Sequence, residues 1–466
     1  MTSNNERKSL MKPSDNPTET LAEFVASTRY EDVPASIIEL GKKRILDTLG
    51  VTIAGVNEQV SLIVCNFVKE LGGKPESTIL GSPLRSTAHD AAFVNGTVAH
   101  AMDFDDAMLG SSLLGHPSVT ILPAALAVSE PRAVSGKDFL LAYLTGVQVL
   151  GTIGSAVNPS HYDMGFHSTS TVGVLGAACA AGKILGLNKE EIIRALGISA
   201  SMSSGLRSNF GTMTKPLHAG LAARNGVIAA ILAKKGLTST SNILEIENGY
   251  FDVMSEAVNC KVPDVGLGDF VYLLEITVKP YPSCAATHGI IDSVIKLSEM
   301  HLSEMNDISS ITIEVSSLNA KVLKYNNPVT GLEGKFSGQY CAAIALIRHN
   351  VSVQDFGSLF VIDDNVKKIM SKIQLKTNDQ LFSHGSMGAA VTIATFAGDK
   401  YSYVCKEPLG SPSNPMSNQR LEQKYRECLA GLLEEEQIER SMKSILNIEK
   451  LGDIRELTRL LVPRII

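Results

Sequence analysis

Residues 95–119, NGTVAHAMDFDDAMLGSSLLGHPSV, place three carboxylates and a histidine–proline pair beside an apolar helical segment. The acids Asp103, Asp105 and Asp106 lie within four residues of one another. Apolar residues recur upstream at helical spacing, which places the acids where a helix ends and a loop begins. Loops held by a rigid scaffold often carry chemistry. A solvated acidic surface, or an N-cap for the next helix, is the alternative interpretation.

Helical patterns extend outward from this stretch in both directions. Upstream, apolar residues follow helical spacing over residues 19–54 and 61–71, and a short extended segment is predicted over 77–80. Downstream, segments rich in alanine and leucine continue to about residue 265. Small residues at this density let helices pack closely. We therefore predict one compact helical domain that begins at residue 19.

The pattern changes near residue 266. Alternating β-branched and aromatic residues appear in DFVYLLEITVKPYPSC, SSITIEVSS, LFVIDD and AAVTIATFAGD, with helical segments between them. These features predict a smaller α+β domain over residues 266–406. A segment rich in Pro, Gly, Ser and Asn then leads back to helix, so residues 407–466 are predicted to complete the helical domain. The predicted fold class is mainly α with an α+β insertion.

Composition limits the possible functions. The chain has 466 residues, of which 44% are hydrophobic and 19% charged, as in globular proteins with a large core. The formal net charge is -6 and no basic block is present, which argues against a nucleic-acid partner. An anionic substrate would therefore need a local cluster of cations.

Cysteine usage and the N-terminus predict a cytoplasmic protein. The seven cysteines are scattered and never follow CxxC spacing, so neither a disulfide framework nor a metal site is indicated. Residues 1–18 are polar, which predicts a disordered leader without a signal peptide. No run of about 18 consecutive apolar residues is present, so no membrane association is expected.

Two motifs in the helical part offer candidate site residues. His167, in Gly165-Phe166-His167, is predicted to lie at the N-terminus of a helix, where the helix dipole disfavours the imidazolium. In GTMTKPLHAG, Lys215 and His218 are predicted in a loop before a helix that begins near Ala219. An ammonium there could receive a carboxylate. A bonded structural histidine and a solvated lysine are the alternatives.

Two further motifs lie in the α+β part. In VKPYPSCAATH, Lys279 ends a predicted strand, and Lys279 and Cys284 are both expected near a cleft between the domains. In FSGQY, Tyr340 begins an apolar helix. The alternative for Tyr340 is a core tyrosine with a bonded hydroxyl.

Together these motifs, with the HP pair and a C-terminal NPMS, resemble those of the MmgE/PrpD family. The resemblance covers about residues 19–460. It implies a helical domain with an inserted α+β lid domain, a homodimer, an active site between the domains, and no metal or organic cofactor. It also implies site roles for six residues, namely Asp103, His116, His167, Lys215, Lys279 and Tyr340.

Two positions depart from the cis-aconitate decarboxylase branch of that family. The branch has threonine where this chain has Ala107 and histidine where it has Cys284. Both changes remove a group that could hydrogen-bond a tricarboxylate. An unpaired polar group in a closed site costs about 1–3 kcal/mol, which argues against cis-aconitate as the substrate.

The resemblance implies chemistry that forms negative charge on a carbon next to a carboxylate. Lys215, Lys279 and His116 would stabilise that charge, His167 would carry a proton with a pKa near 7, and Asp103 would orient a neighbouring cation. Tyr340 would hold the substrate or give a proton to a leaving group, and His116, His218, Ala107 and Cys284 would contact the substrate. The leading prediction is a lyase that dehydrates or decarboxylates a small di- or tricarboxylate, as 2-methylcitrate dehydratases and cis-aconitate decarboxylases do. The alternatives are a dicarboxylate epimerase and a binding protein without catalysis.

Overall fold

Long helices form most of the computed structural model, which describes residues 13–14, 16–109, 112–256, 262–263, 267–301, 308–357, 361, 363–383 and 386–464. Helices of seven or more residues within these ranges are α1 (Pro17–Ser27), α2 (Ala35–Ala54), α3 (Gln59–Leu71), α4 (Ala88–His100), α5 (Ser118–Ser129), α6 (Gly136–Val157), α7 (Gly173–Leu185), α8 (Lys189–Ala200), α9 (Thr214–Lys234), α10 (His288–Met300), α11 (Gly338–Arg348), α12 (Asp364–Met370), α13 (Asn418–Leu429) and α14 (Glu435–Leu446). The prediction of a mainly α fold is confirmed.

Shorter helical turns connect these helices. They are Tyr30–Asp32, Gly55–Asn57, Glu130–Arg132, Ser160–Asp163, Ser168–Thr171, Arg207–Asn209, Tyr250–Met254, Val271–Glu275, Ala285–Thr287, Ser317–Val322, Gly331–Gly334, Val353–Phe356, Ile448–Lys450, Arg455–Thr458 and Arg459–Leu461.

The turn Val271–Glu275 corrects part of the strand predicted from DFVYLLEITVK. It follows Phe270, whose φ of 51° interrupts an extended chain, so only Ile276–Thr277 remain as a strand.

Close packing of α4 against α9 brings two parts of the candidate site together. A Cβ atom on Gly96 of α4 would lie 3.0 Å from Cα of Gly220, and a Cβ on Gly220 of α9 would lie 2.1 Å from Oγ1 of Thr97. Only glycine fits at such a crossing. Because α4 leads into the acidic loop and α9 begins beside Lys215, this crossing sets the distance between the loop and the lysine.

A four-stranded sheet forms the smaller part of the fold. Its strands are β7 (Ile308–Val315), β8 (Ile373–Thr377), β9 (Ala389–Thr395) and β10 (Lys400–Cys405), in the order β10-β9-β7-β8. The β7–β9 and β9–β10 pairs are antiparallel and the β7–β8 pair is parallel. Strands β7 and β9 were predicted. The sequence prediction missed β8 and β10, although half-buried and exposed residues alternate along both. Half of LFVIDD lies outside the described residues, and Asp363 and Asp364 cap and begin helix α12, which corrects the strand predicted there.

Three two-residue strand pairs complete the described strands. They are β1 (Pro13–Ser14) with β5 (Val262–Pro263), β2 (Ser77–Thr78) with β3 (Arg85–Ser86), and β4 (Ala107–Met108) with β6 (Ile276–Thr277). The first pair and the start of α1 at Pro17 correct the prediction of a disordered leader through residue 18. Proline suits the first position of a helix because it lacks the N–H that would be unpaired there. Residues 1–12 and 15 lie outside the described residues.

Buried apolar side chains form two large clusters. The helical core runs from Leu21 to Val278 and is rejoined by residues from Leu421 to Leu461. The sheet core runs from Tyr281 to Ile393. The C-terminal helices α13 and α14 therefore pack with the N-terminal helices. The domain boundaries at residues 265 and 407 stay a prediction.

Three helical segments are long and apolar enough to cross a membrane by length and composition, and a bent helix pair would add a fourth. They are Gly136–Val157, Ser168–Leu185 and Thr214–Lys234, with mean hydropathies of 1.5, 1.2 and 1.2. The expectation from uninterrupted apolar runs missed them because glycine and threonine interrupt their apolar residues. In the fold, 94%, 89% and 61% of an apolar 18-residue window in each segment is buried inside the protein.

Candidate active site

The acidic loop lies inside the protein. Asp105 and Asp106 are fully buried, and Asp103 is 4% exposed. Strand β4 within the loop pairs with β6, so that Ala107 faces Thr277 two residues before Lys279. The solvated-surface interpretation of the three acids is therefore wrong. The pairing also explains how residues about 170 positions apart in the chain reach one site.

Asp103 binds two lysines through one oxygen. Nζ of Lys215 donates to Oδ1 of Asp103 at 2.9 Å, and Nζ of Lys279 donates to the same oxygen at 2.7 Å. Lys279 also donates to the backbone oxygen of Asp103 at 2.8 Å, while Oδ2 is buried without a described partner. Asp103 has a left-handed backbone, with φ of 51°, which bends the loop so that both lysines reach the carboxylate.

These ion pairs shift the pKa values of both partners. Burial would raise the pKa of Asp103, but Lys215 and Lys279 hold it well below its usual range. Burial would lower the pKa of Lys279, but Asp103 and Asp105 raise it. The carboxylate and the Lys279 ammonium are therefore both charged at neutral pH.

Asp105 orients two histidines. Nδ1 of His100 donates to Oδ1 of Asp105 at 2.9 Å, and Nδ1 of His116 lies 2.9 Å from Oδ2. Nδ1 of His116 also donates to the backbone oxygen of Asp106 at 2.9 Å. Burial lowers the pKa of His116 and lowers that of His100 to about 4. Both rings are neutral at pH 7, and His116 presents its Nε2 lone pair 4.0 Å from Oδ1 of Asp103.

His167 precedes the short helix Ser168–Thr171, as predicted, but its pKa is not near 7. Burial, and then the charge of Lys215, hold the pKa well below its usual range. Nδ1 of His167 shares a hydrogen bond of 3.0 Å with Nδ1 of His218. Nε2 of His167 is buried and has no described partner. The prediction of an imidazole that titrates near pH 7 is therefore wrong, and His167 is neutral at that pH.

Lys215 and His218 lie inside helix α9, which begins at Thr214, so the predicted loop before Ala219 is wrong. Pro216 at the third position of α9 explains the difference, because proline is tolerated in the first turn of a helix. The helix holds Lys215 and His218 on one face at a spacing of three residues.

These groups border one cavity of about 70 Å³. Asp103, His116, His167 and Lys215 line its polar side. The rest of the lining is mostly apolar and includes Ala107, Leu109, Leu114, Tyr162, Phe210, Cys284, Ala285, Ala286, Leu318, Val322, Phe336 and Met387, with Asn319 and Ser386. The cavity thus lies between the helical part of the chain and the segments around residues 284–336.

A model of the MmgE/PrpD N-terminal domain matches residues 19–262, and a model of the MmgE/PrpD C-terminal domain matches residues 281–449. The chain belongs to the MmgE/PrpD family. The family prediction is confirmed over most of the chain.

The chain is similar to proteins named cis-aconitate decarboxylase. It is 30% identical over 457 residues to the protein of Homo sapiens, which covers 95% of this chain and 94% of that relative. It is 30% identical over 460 residues to the protein of Mus musculus, with 95% and 93% covered. It is 26% identical over 475 residues to the protein of Aspergillus terreus, with 95% of both chains covered.

Tyr340 lies outside the cavity of this MmgE/PrpD protein, which corrects its predicted catalytic role. Its hydroxyl donates to the backbone oxygen of Asp355, and its ring packs in the sheet core. Ser337 caps α11 and sets the direction in which Tyr340 points. The alternative of a core tyrosine with a bonded hydroxyl describes it correctly.

Two buried groups beside the cavity escaped the sequence prediction. His100 is the last residue of α4 and gave no signal, since a helical histidine is usually structural. Lys335 precedes FSGQY, and its Nζ donates to the backbone oxygens of Met102 at 2.5 Å and Pro282 at 3.0 Å. Burial lowers the pKa of Lys335 to about 8. Lys335 therefore ties the acidic loop to the segment that carries Cys284.

One cluster among the described residues has the ligand types of a metal site. His100, Asp103, Asp105 and His116 bring possible ligand atoms within 4.8 Å of one another. Two ammoniums already occupy Oδ1 of Asp103, and Nδ1 of each histidine donates a hydrogen bond. Positive charge at that oxygen opposes a divalent cation. The absence of a metal cofactor stays a prediction.

A buried network supports the loop from behind. Nζ of Lys424, on α13, donates to the backbone oxygens of Phe104 at 2.9 Å and Lys279 at 2.8 Å, and it lies 2.6 Å from Oδ1 of Asp47 on α2. Oγ of Ser118 donates to Oδ2 of Asp106 at 2.5 Å. Helices from both ends of the chain therefore hold the loop that carries Asp103.

Asp106→Asn should remove a pH dependence of stability. Burial raises the pKa of Asp106 to about 7, above the unfolded value of about 3.9. The raised pKa contributes stability that is fully present below about pH 4 and is lost as pH rises through about 7. Urea unfolding of wild type and variant from pH 5 to 9 should show a difference that shifts in favour of Asn as pH rises. A constant difference would contradict the raised pKa.

Proposed function

We propose that this protein is a lyase that decarboxylates a small unsaturated di- or tricarboxylate of the cis-aconitate class. The observation that carries the proposal is the convergence of Lys215, Lys279 and two neutral histidines around Asp103 beside one cavity. Similarity along the whole length to proteins named cis-aconitate decarboxylase supports it.

The charges favour a carboxylate substrate. Lys215 borders the cavity, with its Nζ 5.4 Å and 5.3 Å from the ring centres of Phe210 and Phe336. Lys279 is fully buried behind Asp103 and does not border the cavity. Lys215 is thus the cation placed to receive a substrate carboxylate, and Lys279 compensates the charge of Asp103. The sequence predicted that both lysines stabilise the developing charge, whereas we assign that role to Lys215 alone.

The reaction needs a stabilised carbanion and a proton. Heterolysis of the bond to a carboxylate releases carbon dioxide and leaves the electron pair on carbon, where a neighbouring carboxylate delocalises it. An ammonium beside that carboxylate stabilises the developing charge in a site that excludes water. One proton then forms the new C–H bond. Nε2 of His167, buried and without a described partner, is the donor we assign to this step.

The test is proton NMR of the purified protein in D2O with cis-aconitate, citrate, 2-methylcitrate, malate, tartrate and iminodisuccinate. Loss of a carboxylate, with one deuterium in the product, is the expected result for cis-aconitate or a close analogue. A new alkene from a hydroxy acid would assign dehydration instead. Inversion without net loss would assign epimerisation, and either result would overturn the decarboxylation proposal.

Threonine in place of Ala107 and histidine in place of Cys284 should each increase turnover of cis-aconitate. Ala107 and Cys284 both line the cavity, and burial raises the pKa of Cys284 to about 11, so its thiol stays neutral. We expect Ala107→Thr and Cys284→His each to raise kcat/KM for cis-aconitate by about tenfold, because a hydrogen bond to a charged group contributes about 1.5–3 kcal/mol. Ala107→Val is the control, since valine has the shape of threonine without the hydroxyl. Equal gains from valine and threonine would contradict the explanation.

A further inference from the structure

His167 and His218 form a buried pair that extends away from the cavity. The two Nδ1 atoms are 3.0 Å apart, and one N–H lies between them. His167 lines the cavity and its Nε2 is buried without a described partner, whereas His218 is not among the lining residues. His218 is 5% exposed and His167 is 1% exposed. The pair therefore connects the cavity with a less buried position on the other side of His167.

The hydrogen bond determines which nitrogen of His167 can donate. When Nδ1–H of His218 donates to Nδ1 of His167, the proton of the neutral His167 ring must be on Nε2, on the side of the ring away from His218. When the direction is reversed, Nε2 becomes an acceptor. Burial lowers the pKa of His218 to about 4 and that of His167 well below its usual range, with Lys215 and His100 acting on both rings and His116 on His167. Both rings are thus neutral at pH 7.

Decarboxylation has a proton requirement that dehydration and epimerisation lack. The carboxylate leaves as carbon dioxide and takes no proton with it, so each turnover consumes one proton at carbon. Dehydration releases the abstracted proton with the hydroxyl as water, and epimerisation returns the proton to carbon. Since Nε2 of His167 is buried, a decarboxylase with this site needs a path that restores its proton after each turnover.

We propose that His218 is a relay residue that acts through His167 and restores its proton from solvent after each turnover. The inference rests on the proposed decarboxylation. In the balanced step, the Nε2–H bond of His167 breaks as its proton joins the substrate carbon. As that proton leaves, Nδ1 of His167 takes the proton from Nδ1 of His218, and Nε2 of His218 takes one proton from water, so neither ring becomes an imidazolate. The hydroxide left behind combines with the released carbon dioxide as bicarbonate. Tautomer exchange of both rings restores the starting state.

The test compares His218→Asn and His218→Ala with wild type. Asparagine retains an N–H that fixes the tautomer of His167 but cannot pass a proton on. The relay predicts that both variants lose about 100-fold in kcat, the lower range for one acid–base group. KM should change less than threefold, and added imidazole should restore turnover to His218→Ala. His89→Asn is the control, because His89 is 34% exposed in its side chain and lies outside the cavity.

Several results would overturn the relay. Near-normal kcat in His218→Asn, together with loss in His218→Ala, would assign His218 to tautomer control alone. Loss in both variants without imidazole rescue, with unchanged circular dichroism, would assign a structural role. Wild-type product analysis by NMR tests the proposed function separately, because it depends on which product forms and not on the relative rates of the variants.

Discussion

Lys215→Ala should lower kcat/KM by about 10²–10³-fold while the protein remains folded. That range is typical for the loss of one group that stabilises developing negative charge. Lys215 is the cation that both borders the cavity and donates to Asp103. Its removal leaves Lys279 to compensate Asp103, so the buried carboxylate keeps one partner at 2.7 Å. The protein should therefore remain folded but lose most of its turnover.

The measurement is steady-state turnover of the substrate found by NMR, with circular dichroism to check folding. Lys235→Ala is the matched control, because Lys235 follows the same helix at its exposed C-terminal end. It should retain full activity. Turnover close to wild type in Lys215→Ala would remove this lysine from the mechanism and with it the assignment of the cavity as an active site.

Asp103→Asn should be the most destabilising single change in the candidate site. It leaves the ammoniums of Lys215 and Lys279 at an amide that carries no compensating charge, and Lys279 is fully buried. Breaking a buried ion pair by removal of one partner costs about 3–5 kcal/mol. We expect a loss of that size in the free energy of unfolding in urea at pH 7.

The loss should depend on pH in a defined direction. The pKa of Asp103 is held well below its usual range, so the ionised carboxylate contributes stability above the unfolded value of about 3.9. That contribution falls as pH decreases through the folded pKa. The difference between wild type and Asp103→Asn should therefore shrink in acid. Asp269→Asn, at an exposed position, should leave the free energy of unfolding unchanged at every pH tested. Equal stability of wild type and Asp103→Asn at pH 7 would contradict the charge balance described here.

Much of the helical architecture could be predicted from spacing alone. The alanine-rich segments and the strands β7 and β9 follow simple apolar patterns, and both are present. Strands β8 and β10 are only five and six residues long, too short for their alternation to stand out, and the left-handed Phe270 interrupts a segment that otherwise resembles a strand. Such features depend on tertiary contacts that local periodicity does not record.

The site was predicted unevenly, for physical reasons. Asp103, His116, His167 and Lys215 meet at one cavity, but the motifs that suggested them owe their grouping to the family resemblance. Tyr340 was misplaced because its motif does not reveal which way a side chain in the first turn of α11 points. The low pKa of His167 results from its burial beside Lys215. This contact joins distant parts of the chain, so no local sequence pattern shows it. The partner of His100 could not be inferred, since it depends on how the loop turns at Asp103.

The contacts of Lys424 have a consequence for the order in which the protein matures. Lys424 holds the backbone at Phe104 and Lys279 and forms an ion pair with Asp47, so the loop depends on a residue about 320 positions later in the chain. During synthesis, the loop with Asp103 leaves the ribosome long before its support. The partners of the loop carboxylates are all made before α13, but a polypeptide that stops before α13 would carry the loop without the support of Lys424.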